Sequence, residues 1–126
     1  MSTTYAIVTV ITVLANAGIA VADFRRAGFV VANSTEVGLP QTWLPWLATL
    51  KAAGAAGLLL GLLGVPVVGV AAATGLVLFF VGAIAAHIRA RVHHNILFPA
   101  CYLGLAVASL ALAVVRYQVT GSLSTP

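Results

Sequence analysis

The chain has 126 residues, 62% hydrophobic and 6% charged, with a formal net charge of +4 at pH 7. A soluble domain carries about 25% charged residues, so a water-covered globular surface is excluded and the bilayer is the solvent for what its length makes a single domain. No dense Lys/Arg run with interleaved aromatics is present, which sets nucleic acid aside. Cys101 is the one cysteine, which excludes an intramolecular disulfide and a CxxC redox pair.

A spanning helix needs about 20 mostly apolar residues, and four segments approach that length. The first runs from about Tyr5 to Ala22. Ala20-Val21-Ala22 before Asp23 has the look of a signal-peptidase site, but no Lys or Arg precedes the apolar run, so the segment is expected to be kept as a helix. The connection from Asp23 to about Thr42 is long, and such a connection usually carries structure or function of its own. Within it Phe24, Phe29, Val30 and Val31 alternate with Arg25, Arg26 and Asn33, the pattern of a short interfacial helix. Gly38-Leu39-Pro40 turns the chain. Thr42 is placed to N-cap the next helix, with Pro45 in its first turn. Trp43 and Trp46 suit an interfacial aromatic belt.

The second span runs from about Trp43 to Leu63, with Lys51 inside it. Gly64-Val65-Pro66 is a tight turn, so this span forms an antiparallel hairpin with the third, from about Val67 to Ile88. A short basic loop, Arg89 to Asn95, leads to the fourth span, about Ile96 to Val115. Cys101 within it reads as a small buried apolar residue. Residues 1–117 therefore form one domain and 118–126 a flexible tail. The segments are rich in Ala, Leu and Gly without period-two alternation, which argues against strands. The fold class is all-α: an integral membrane four-helix bundle with a long, partly interfacial connection between its first two spanning helices. Gly54, Gly57, Gly61 and Gly64, then Gly75, Gly82 and Ala86, then Gly104, Ala108 and Ala111, give each of the last three helices a small-residue seam. Such seams let helix backbones approach closely, and the same faces suit a homodimer.

The charges fall at one end. Asp23, Arg25, Arg26, Glu36 and Lys51 lie around the first connection, Arg89 and Arg91 in the third, and Arg116 stands alone at the opposite end. The positive-inside rule places connections 1 and 3 in the cytoplasm and both termini outside, in the cell (inner) membrane. Lys51 lies about 13 Å along the second helix from Thr42. A charged lysine at such depth must snorkel, pair or lose its proton. Its candidate partners are Asp23, Glu36, Asn16, which shares a helix face with Asp23 seven residues on, and His87 across the hairpin. Arg91 follows His87 by four. Asn16, Asp23, Glu36, Lys51, His87 and Arg89 or Arg91 are thus expected to line one positive cavity, suited to an anionic or electron-rich head group on an apolar tail. His87, His93 and His94 match no established metal-ligand spacing, so no metal is assigned. The half of each helix away from this end is nearly free of polar groups, which weighs against a solute path.

The ordered set Ala22-Asp23-Phe24, Glu36-Val37-Gly38-Leu39-Pro40, Trp43-Leu44-Pro45, Leu50-Lys51-Ala52-Ala53-Gly54-Ala55-Ala56-Gly57-Leu58, Val65-Pro66 and Gly82-Ala83 through His87-Ile88-Arg89 resembles the DoxX-like family of small four-helix bacterial membrane proteins. The resemblance spans roughly residues 5 to 115. It implies a compact four-helix bundle and marks Glu36, Lys51 and His87 as its polar positions. The family takes its name from a membrane subunit associated with thiosulfate:quinone oxidoreduction, and relatives are linked to membrane oxidoreductase complexes or, in distant animal members, to receptor assembly. The resulting expectation is a membrane subunit that binds a quinone or lipid and supports an oxidoreductase partner or redox-stress system. A non-catalytic assembly factor is the alternative, and a small-solute transporter is weaker. Catalysis itself is not assigned.

Overall fold

The computed structural model describes residues 2–124, the last four as backbone only. Five α-helices and one short 3-10 turn follow in order: α1 Thr3–Phe24, α2 Gly28–Glu36, the turn Gln41–Trp43, α3 Leu44–Leu62, α4 Pro66–Arg89 and α5 Leu97–Ser124. α1, α3 with its preceding turn, α4 and α5 are each long and apolar enough to cross a membrane. α5 runs to Ser124, past Gln118, where the tail was expected to begin; residues 125–126 of that tail lie outside the described residues.

Local chemistry sets the boundaries. The Ser2 hydroxyl accepts from the Tyr5 amide at 3.1 Å and caps α1. Thr42 does not cap α3. It sits within the 3-10 turn, the Leu44 amide bonds to the Gln41 carbonyl, and α3 starts with no side-chain cap and proline in its first turn. The α3–α4 hairpin closes at Gly64, whose φ of 123° L side chains rarely adopt.

Two other helix ends do the same job without glycine. After α1, the Ala27 amide bonds to the Ala22 carbonyl and Arg26 takes φ 52°. After α4, the Val92 amide bonds to the His87 carbonyl and Arg91 takes φ 58°. Both are Schellman closures, which favour glycine at the left-handed position. Relieving that strain outweighs the extra chain entropy of glycine, so Arg91→Gly is expected to raise stability by about 0.5–1 kcal/mol. Thermal unfolding in detergent checks this as a higher Tm.

The four long helices form a closed ring: α1 against α3 and α5, α3 against α4, and α4 against α5. The main core joins Leu58, Ala73, Leu76, Phe80 and Ala106. A second cluster of Ile19, Val30 and Leu44 docks α2 against the charged end of the ring. Large apolar residues also face outward, Leu14, Leu63, Leu78 and Leu97 among them, as a lipid-facing surface requires. Trp43 and Trp46 are exposed at the charged end, as a belt would have them, and so is Cys101, which faces outward on α5 instead of being buried.

The seam on α3 is a true contact. A Cβ on Gly61 would lie 2.6 Å from the Gly69 Cα, and one on Gly57 would lie 2.5 Å from the Ala72 Cβ. The seams expected on α4 and α5 are different: nothing lies within 4 Å of a Cβ on Gly75, Gly82 or Gly104.

The half of the bundle away from the charged end is less apolar inside than its sequence suggests. Thr9, Thr12 and Ser109 are buried there. Arg116 donates to the Gly61 carbonyl at 2.7 Å and stacks over the Tyr5 ring at 4.9 Å, placing a cation at the α3 C-terminus.

Candidate functional site

A cavity of about 570 Å³ opens at the charged end, enclosed by the ends of α1, α3, α4 and α5 and roofed by α2. This size is typical of small-molecule sites. Most of its wall is apolar: Ile19, Val30, Leu44, Leu47, Phe79 and Phe80 are among the lining residues. Phe29, Trp43, Leu50, Leu78 and Phe98 line it and are also exposed, so they mark its mouth.

Polar groups form two sets in this wall. In the first, Lys51 Nζ donates to Asp23 Oδ2 at 2.6 Å, with the side chains only 11% and 4% exposed. Lys51 thus pairs at depth, the second of the expected options, and its ammonium also sits 5.4 Å from the Phe79 ring centroid. α1 delivers Asp23 in its last turn, and α3 delivers Lys51 two turns in from its start.

The second set centres on His87, which is 3% exposed. Its Nδ1 lies 2.8 Å from the Ala83 carbonyl, and a carbonyl only accepts, so Nδ1 carries a proton. Its Nε2 lies 3.2 Å from the Asn33 side-chain amide, which is also bonded to the Asn95 amide at 2.7 Å. With neutral imidazole, Asn33 presents its N–H to Nε2; with imidazolium, it presents its oxygen. With Asn95 turning its own amide to match Asn33, both arrangements keep the chain His87–Asn33–Asn95, which joins α4, α2 and the segment just before α5. Tyr102 completes the wall and donates from its hydroxyl to the Ala15 carbonyl at 3.1 Å.

Of the residues expected to share one cavity, the structure brings together Asp23, Lys51 and His87. The other four stand off its wall. Asn16 is buried deeper in the bundle and donates to the Thr12 carbonyl at 3.0 Å. Glu36 ends α2 and meets exposed His94 at 2.7 Å. Arg89 is two residues beyond His87, on another face of α4, and is exposed. Arg91 loses the helical i,i+4 relation to His87 because α4 ends at Arg89. The cavity therefore holds a balanced ion pair and a histidine, and the expected excess of positive charge lies on the outer surface.

Asn33, Asn95 and Tyr102 were not expected in the wall. Asn33 lay in the polar half of the α2 pattern, and Asn95 beside the histidines; one asparagine in each of the two connections that share one membrane side was the available signal. Among the described residues no three His, Cys, Asp or Glu side chains converge as a metal site.

No curated protein and no solved structure matches the chain. The model of the DoxX-like family matches residues 7–109, a stretch holding α1 to the middle of α5 and every polar group of the cavity wall. The chain with this four-helix bundle belongs to the DoxX-like family.

Proposed function

We propose that the chain is a membrane subunit whose cavity binds a quinone or lipid and that it supports an oxidoreductase partner. One observation carries this reading: a cavity of about 570 Å³, apolar over most of its wall, gathers most of its polar groups into two sets, Asp23–Lys51 and His87–Asn33–Asn95. Such a wall suits an apolar body with one hydrogen-bonding head. Lys51 has three donors and spends one on Asp23, which leaves N–H groups for a carbonyl or hydroxyl. The positive-inside bias of Arg25, Arg26, Arg89 and Arg91 orients this end to the cytoplasm of a cell membrane.

Native mass spectrometry from gentle detergent tests the reading and reports the oligomeric state. The protein is expected to carry an apolar small molecule, and Gly82→Phe is expected to release it. Gly82 lines the cavity with nothing within 4 Å of an added Cβ, so a ring there takes ligand space. A bare protein mass, or an adduct unaffected by Gly82→Phe, refutes the reading.

A second reading is a non-catalytic assembly factor. The observation favouring it is the open small-residue surface at Gly75 and Gly104. It predicts that Gly75→Leu abolishes partner capture while the bound mass is unchanged.

A further inference from the structure

The buried face of α1 carries polar residues over most of its length, broken by Ile19 and Ala20 one turn before Asp23. Tyr5, Thr9, Thr12, Asn16 and Asp23 follow at steps of four, three, four and seven, which keeps them on one side of the helix. All five are buried, Thr12 and Asn16 completely. Ser109 of α5 faces them, 2.8 Å from the Thr12 hydroxyl.

The protons of Thr12, Ser109 and one N–H of Asn16 are already committed. Thr12 donates to the Val8 carbonyl at 2.8 Å. Ser109 must then be the donor to the Thr12 oxygen. Asn16 Nδ2 donates to the Thr12 carbonyl, which fixes the orientation of its amide. Asn16 Oδ1 is left buried with no protein partner, and so is the Thr9 hydroxyl. These two atoms cannot satisfy each other, since seven residues separate them by about 10 Å along the axis. A buried acceptor with no free donor within reach needs a donor from outside the chain. Buried polar groups without protein partners are characteristically held by water, and the bilayer supplies none from its own core.

We propose that Thr9, Thr12 and Asn16 of α1, with Ser109 of α5, hold bound water as a thread through the bundle interior. At one end the thread approaches the cavity, where Tyr102 reaches from the wall to the Ala15 carbonyl. At the other it approaches Tyr5 and the Arg116 guanidinium that covers it. The ligand class is water. The thread is independent of the cavity's occupant.

Water-edited solid-state NMR of the wild-type protein in bilayers tests this directly. Magnetisation from water is expected to reach the side chains of Thr9, Thr12, Asn16 and Ser109 several-fold faster than those of Ala73 and Ala106, which are equally buried in the apolar core. Build-up at the rate of Ala73 overturns the proposal. Thr9→Val gives a second readout by sign. If the hydroxyl holds water, the isosteric valine strands that water and lowers Tm. If the hydroxyl is dry and unpartnered, valine removes an unsatisfied group and leaves Tm unchanged or raises it, which also overturns the proposal.

Discussion

Lys51→Ala is expected to destabilise the bundle by about 3–5 kcal/mol, the scale for removing one partner of a buried ion pair. The substitution leaves Asp23 charged, 4% exposed at its side chain, and without the donor 2.6 Å away. No other cation replaces it: the arginines of that end are exposed, and His87 is engaged with Ala83 and Asn33. The informative control is the double variant Asp23→Leu, Lys51→Met. Replacing a buried pair by apolar residues of similar volume is often neutral or stabilising, so this variant is expected to recover most of the loss. Unfolding followed by Trp43 and Trp46 fluorescence measures both. A double variant as unstable as Lys51→Ala would show that the pair holds the ring together through more than charge balance. If it is stable but has lost its bound small molecule in the mass spectrum, the pair serves the ligand. The other ion pair gives the contrast. Glu36 and His94 are 45% and 64% exposed, so His94→Ala is expected to change stability by less than about 1 kcal/mol.

The four spans were legible because they rest on length and hydropathy alone, and the bilayer admits few alternatives to a helix. The α3–α4 hairpin was legible at Gly64 and Pro66. Which faces turn inward was harder to see. In a soluble helix polarity marks the outside, but here Leu58 and Leu63 differ only in what surrounds them: one is 2% exposed and the other 72%. The site shows the same division. Lys51, Asp23 and His87 were found because charge at bilayer depth must be compensated. Arg91 was misplaced because its spacing from His87 assumes the helix continues, and α4 ends at Arg89; Arg89 itself lies on another face, and Glu36 at the end of α2 turns to His94. Asn33 and Asn95 escaped because each is unremarkable alone; their role follows from a contact across 62 residues. The threonines of α1 escaped because a hydroxyl in a spanning helix ordinarily bonds its own backbone, as Thr12 does with Val8.

Glycine substitutions on α3 and α4 are expected to act with opposite sign, which the sequence pattern alone could not have separated. At Gly61 an alanine Cβ would sit 2.6 Å from the Gly69 Cα. The neighbour is backbone, so no rotamer change relieves the overlap, and α3 and α4 must separate along their whole contact. Gly61→Ala is therefore expected to cost about 1–3 kcal/mol, the usual range for overpacking a close interface. At Gly75 an added Cβ meets nothing within 4 Å. There the helix-propensity gain of alanine over glycine stands unopposed, and Gly75→Ala is expected to stabilise by up to about 1 kcal/mol. Thermal unfolding of the two variants in the same detergent compares them directly. A loss at Gly75 would mean that this face is covered in the assembled protein, by a second copy or a partner, because only a neighbour outside the chain could make that Cβ unwelcome. The α3 seam, with Gly69 and Ala72 opposite it, therefore closes the ring, while Gly75 of α4 remains available for contact outside it.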